Sequence, residues 1–167
     1  MENSFLKHFI EEPIYVIQEK DIEPDTLKVE EPVAEFSPEK SIPEFKIKGD
    51  VSRKVLVIVD YSEEEHIKGT DEAFLAKILM AVKVEMTDTT IINLNNNSSF
   101  DYDHLSEFQS SFVLYFSDQN KVLPSEFDNY HPRTIQNKQL LMSPTLSKIA
   151  SDVEEKKSLW AALKQMF

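Results

Sequence analysis

Apolar residues fall along this chain in two distinct rhythms. Val55-Leu56-Val57-Ile58-Val59 is continuous and rich in β-branched side chains, the pattern of a strand covered on both faces in a parallel sheet. Thr89-Thr90-Ile91-Ile92-Asn93-Leu94 and the run from Ser111 to Phe116 read as a second and a third strand. Between the first two, Phe74, Leu75, Ile78, Leu79 and Val82 recur at helical spacing. They predict a helix capped by Thr70 or Asp71 and reaching about Val84. A polar stretch from Asn95 to Ser99 leads into a short helix expected over Tyr102 to Gln109. Thr134-Ile135-Gln136, a turn at Asn137-Lys138, and Gln139-Leu140-Leu141-Met142 predict an edge hairpin or one further strand. Ser143 is then expected to cap a short helix with Pro144 at its first position. A last helix from about Val153 would pack Val153, Leu159, Trp160, Leu163 and Phe167 on one face, with Trp160 in the core. Strands alternating with helices in this order predict an α/β three-layer sandwich, with a mostly parallel sheet of about four strands and helices on both faces.

The rhythm breaks before residue 53. Residues 1 to 50 hold five of the eight prolines and thirteen acidic residues against six lysines, a net of −7. Each proline disfavours helix in the residue before it, so residues 19–52 read as an acidic, extended linker. Residues 1–18 differ. Phe5, Leu6, Phe9 and Ile10 share one face of a short helix capped by Asn3 or Ser4, and Ile14-Tyr15-Val16-Ile17 is β-prone. Two readings stand here: packing on the chain's own surface, or a peptide on a tether that folds into a partner's groove. The α/β domain would then occupy residues 53–167.

Composition narrows the chemistry. A net charge of −12 over 167 residues argues against direct nucleic-acid contact as the main role, since that contact rests on neutralising phosphates. The absence of cysteine excludes disulfides, thiol nucleophiles and cysteine-held clusters. With only Gly49 and Gly69, no glycine-rich phosphate cradle can form. There is no long apolar run for a membrane span and no secretory signal pattern, so a cytoplasmic location is the expectation. The four histidines show no metal-binding spacing, and no cofactor is implied.

Asp60 is the best single candidate for an acid or base, because it ends the first strand, where α/β sheets hold their ligands. The plainer reading is that it caps the loop that follows. Glu63-Glu64-Glu65 reads as a solvated charge run.

The segments Lys54 to Asp60, Glu72 to Val84 and Asp88 to Leu94 resemble the opening of the iron–sulfur-type uracil-DNA glycosylases. Ser143-Pro144-Thr145-Leu146 with Leu159-Trp160 looks like that family's closing loop and the helix after it. The departures fall on every functional position. Asp60-Tyr61-Ser62-Glu63 stands where a glycine-bearing catalytic loop is expected, Ser143 replaces a histidine, and the cluster cysteines are missing.

A hydrophobic strand, an acidic loop, a helix and a second strand, followed by Ser-Pro-x-Leu and Leu-Trp, are similar to the psi subunits of bacterial DNA polymerase III. Psi has the glycosylase-like fold without its chemistry. This resemblance implies that Asp60, Asn93, Ser143, Pro144, Leu146, Leu159 and Trp160 are structural. It implies that Phe5, Leu6, Phe9, Ile10 and Tyr15 dock on a clamp-loader ATPase subunit. It also implies a chi-like subunit as second partner, with no membrane and no small-molecule substrate. The competing expectations are a divergent uracil-DNA glycosylase-like repair hydrolase using Asp60 or a nearby glutamate, and a module of unrelated function on the same fold.

Overall fold

The computed structural model describes residues 45–124 and 127–167. The peptide of residues 1–18, with Phe5, Leu6, Phe9, Ile10 and Tyr15, and the linker up to residue 44 lie outside the described residues. Six strands form one mixed sheet: β1 (Ile47–Lys48), β2 (Val55–Val59), β3 (Thr89–Asn93), β4 (Phe112–Phe116), β5 (Arg133–Ile135) and β6 (Lys138–Ser143). Their spatial order is β1-β3-β2-β4-β6-β5. The pairs β2–β3, β2–β4 and β4–β6 are parallel, whereas β1 and β5 join the edges antiparallel. The sheet thus has six strands where the periodicity predicts about four. Both additions are short edge strands, too brief to show a rhythm of their own.

The edge strand β1 lies before the expected domain start at residue 53. Gly49 makes the approach possible. Its φ is +112°, and a Cβ there would lie 2.7 Å from the Thr89 carbonyl oxygen. Next to it, Thr90 donates its hydroxyl hydrogen bond to the Asp50 carbonyl. Phe45 packs edge-on against Phe100, with ring centroids 5.3 Å apart.

The helices are α1 (Gly69–Ala81), α2 (Leu146–Ser151) and α3 (Val153–Met166). Side chains alternate across the sheet, as the pleat requires. Val55, Val57, Val59, Ile91, Leu114 and Leu141 face the side that also buries Leu75, Leu79, Ile149, Leu159 and Leu163. Residues of all three of these α-helices join this one core, so among the described residues the expected α-helices on both faces are not found. The opposite face, with Leu56, Ile58, Ile92, Val113 and Tyr115, is covered by Phe100, Leu105, Phe108, Val122 and Leu123. The helix expected at 102–109 is a 3-10 turn, Asp103–Glu107.

Three local expectations are corrected. Helix α1 starts from Lys68 without a side-chain cap, because Asp71 turns inward and is buried. Ser143 does not cap a helix. It ends β6, while Thr145 is the N-cap of α2 and Pro144 lies before it. Trp160 is not core: it is 38% exposed, whereas its neighbour Leu159 is 2% exposed. The buried stripe of α3 is Leu159, Ala162, Leu163 and Met166, at helical spacing one step around from the expected face. Val153 and Phe167 lie outside it and are exposed, the latter stacking on Phe112 at 4.2 Å. The cap of α3 is Asp152, which accepts from the Glu154 and Glu155 amides.

Candidate functional site

The parallel strands β2, β3 and β4 end together, so the loops after them meet at one edge of the sheet, the place where open α/β sheets hold ligands. Asn93, the last residue of β3, is fully buried there. Its Oδ1 accepts hydrogen bonds from the amides of Tyr61 at 2.9 Å and Asn95 at 3.3 Å. Its Nδ2 donates to the carbonyls of Tyr61 at 2.9 Å and Glu64 at 2.8 Å. Two backbone donors on one side and two carbonyls on the other fix which way this amide points.

The neighbouring asparagines continue the clasp. Asn96 donates to the carbonyls of Glu64 and Glu65, both at 2.8 Å, and Asn95 to that of Ser62 at 3.3 Å. Asn97 donates to the carbonyls of Asn93 at 2.8 Å and Lys46 at 3.0 Å, and accepts from the Lys46 amide at 2.7 Å. One run of asparagines therefore holds both the acidic loop and the approach to β1. The Glu63 and Glu65 side chains stay exposed while their loop's backbone is gripped.

The foot of the same loop is tied by Tyr61, whose phenol donates to Asp71 Oδ2 at 2.6 Å. Ser147 on α2 donates to the same oxygen at 2.6 Å. Burial, reinforced by the Asp71 carboxylate, raises the Tyr61 pKa well above the ordinary tyrosine value. A phenol held protonated in this way is a strut, with no readiness to give up its proton near neutrality.

Asp60 opens on a polar pocket of about 320 Å³ shared with Ser62, Ser117, Gln119 and Lys121. It does not cap the loop; its carboxylate pairs with Lys121 Nζ at 2.5 Å. Asp118 on the rim lies 3.8 Å from Lys148. Asp60 and Asp118 thus each have a lysine beside them. Among the described residues no three histidine, aspartate or glutamate side chains converge as a metal site.

Of the other singled-out residues, Ser143, Pro144 and Leu146 are buried where β6 passes into α2. The Ser143 hydroxyl has no hydrogen-bond partner, while its carbonyl accepts from the Ser117 amide at 3.0 Å. Leu159 lies beneath α3 in the core shared with Leu146. The structure therefore brings together Asp60 and Asn93 at one loop cluster, and places Trp160 on the outer side of α3.

The residues missed by pattern reading are Lys121, Asp71, Tyr61, Ser147 and the asparagines at 95–97. A repeat of short amides directly after a strand was the available signal, because such side chains bond backbone rather than pack.

Comparison of the chain with protein-family models, with curated proteins and with solved structures finds no match in any of the three.

Proposed function

We propose that this chain is a non-catalytic adaptor similar to the psi subunit of the bacterial replicative DNA polymerase, on a uracil-DNA glycosylase-like scaffold with a mostly parallel sheet. Residues 1–18 would dock on a clamp-loader ATPase subunit, and the α/β domain would hold a second, chi-like subunit. Nucleic acid, membrane and small-molecule substrate have no part in this reading, and the setting is the cytoplasm. The linker then raises the effective concentration of one partner for the other, a gain that needs no new contact.

The observation that supports the reading is the state of Asn93. An asparagine reads a base edge through its amide donors and carbonyl acceptor. Here both are taken by the backbone of Tyr61, Glu64 and Asn95. The loop after β2 is held by its backbone to the end of β3, and the Asn93 amide is occupied within the chain.

The test is capture of a purified clamp-loader complex by the full chain. Replacing Phe5 and Phe9 together with Ala should abolish capture and leave the thermal melting unchanged. Capture that survives the double substitution removes the peptide from the scheme. The hydrolase reading rests on Asp60 and its open pocket. Abasic sites formed in uracil-containing single-stranded DNA, and lost on Asp60→Asn, would replace the adaptor with an enzyme.

A further inference from the structure

Helices α1 and α3 leave an open apolar groove between them. Its α1 wall is Phe74, Ile78 and Ala81, and its α3 wall is Leu159, Trp160 and Leu163. Residues 74 to 81 and 156 to 163 each cover about two helical turns, roughly 11 Å of wall. Ala81, Trp160 and Leu163 also line an adjoining cavity; the two have volumes of about 220 and 280 Å³.

The charged side chains lining this groove are all of one sign. Lys77 and Lys156 border the first cavity, Lys83 and Lys164 the second, and no carboxylate side chain lines either. In a chain of net charge −12 such a rim runs against the overall balance. Among the described residues none of these four lysines makes an ion pair, although six ion pairs form elsewhere. Lys164 lies over the Trp160 ring at 5.0 Å.

The backbone adds an independent sign. Lys83 follows α1 with φ +61°. Its amide bonds the Met80 carbonyl and the next amide bonds that of Leu79. This helix-ending position in the left-handed region belongs by preference to glycine. A lysine held there at a cost of about 1 kcal/mol is placed on the groove rim.

We propose that the α1–α3 groove docks an acidic amphipathic helix of a partner protein. The partner's apolar residues at i, i+3, i+4 and i+7 would sit between Phe74 and Trp160, and its flanking carboxylates would meet the four lysines. Two helical walls with a trough between them suit a third helix, and the lysine rim selects an acidic one. This deepens the adaptor reading by giving the α/β domain a surface for its second partner. Its test needs no clamp loader, so the two can fail separately.

Trp160 is the only tryptophan, so its fluorescence reports the groove alone. The probe is a synthetic tryptophan-free helical peptide with leucine and phenylalanine on one face and glutamate on the flanks, titrated into the full chain. The expected result is a saturable blue shift of Trp160 emission. Its affinity should fall at least about tenfold in the double variant Lys77→Glu, Lys156→Glu, and fall with added salt. The double variant's melting temperature controls for folding. A lysine-flanked version of the peptide should give no shift.

The proposal is overturned by equal responses to the acidic and basic peptides, or by none. It is also overturned if emission responds to protein concentration with dimer formation, which makes the groove a contact between copies. A red shift on replacing Phe5 and Phe9 in the absence of peptide would overturn it too, by assigning the groove to the chain's own N-terminal segment.

Discussion

The mouth of the sheet and the α1–α3 groove sit on one scaffold and have opposite polar chemistry. At the mouth the two strand-end groups singled out as candidates already have partners within the chain. Asn93 makes four hydrogen bonds to backbone, and Asp60 pairs with Lys121. In the groove, the exposed face of Trp160 stands beside four lysines that make no ion pair among the described residues. A polar group already satisfied internally gains little from a ligand, whereas exposed apolar surface beside unpaired charge gains from being covered. On the proposed reading, the first of these regions maintains shape and the second meets a partner.

Substitutions that weaken or strengthen this contrast can be ranked. Leu159→Ala empties the core beneath α3 and should cost about 2–5 kcal/mol in chemical denaturation. Its neighbour Trp160 on the groove wall should not behave alike, as described last. Asn93→Ala strands two amides and two carbonyls at the mouth. It should cost about 2–3 kcal/mol and speed hydrogen exchange at the Tyr61 amide ahead of the rest of the sheet. A loss below about 0.5 kcal/mol would mean that the clasp is not needed for the fold.

Tyr61→Phe removes one hydrogen bond and should cost about 1 kcal/mol near neutrality. It also has a pH signature. The fold holds the Tyr61 proton more tightly than the unfolded chain, whose value is near the ordinary 10.0. That contribution is complete below pH 10 and is lost as pH rises above it, so the variant should show a flatter decline in alkali.

On the groove side, Lys83→Gly relieves a left-handed lysine and should raise stability by about 0.5–1 kcal/mol while weakening the acidic peptide. Trp160→Ala should cost less than Leu159→Ala, about 1 kcal/mol, because the outer part of its ring is already exposed. A loss as large as that of Leu159→Ala would return Trp160 to the core and dissolve the contrast.

The central strands were legible because Val55 to Val59 and Phe112 to Phe116 are apolar without interruption, which only burial on both faces explains. The hairpin at 133–143 was legible in outline, but its turn falls at Gln136 and Asn137, which take positive φ, one position before the expected Asn137-Lys138, and Lys138 opens β6. Edge strand β1, two residues long, has no periodicity to read, and its signal was the lone Gly49. Trp160 was assigned to the core because Leu159 and Leu163 flank it. A stripe of four residues on α3 nonetheless has an edge, and one turn of the helix decides which large side chain falls there. The mouth was half legible. Asp60 and Asn93 stood at strand ends, but Lys121 is sixty-one positions from Asp60 and no local pattern links them. Asp71, counted as a helix cap, serves instead as acceptor for Tyr61 and Ser147, a meeting that only the packing of α2 on α1 brings about.

The central claim is that the chain acts by holding partners. Its most direct measurement is a titration of purified clamp-loader ATPase with the full chain, and with the variant carrying Phe5→Ala and Phe9→Ala. The account predicts saturable binding by the natural chain, weakened at least about tenfold by the paired substitution. Absence of binding, or binding of equal strength by both proteins, would contradict it.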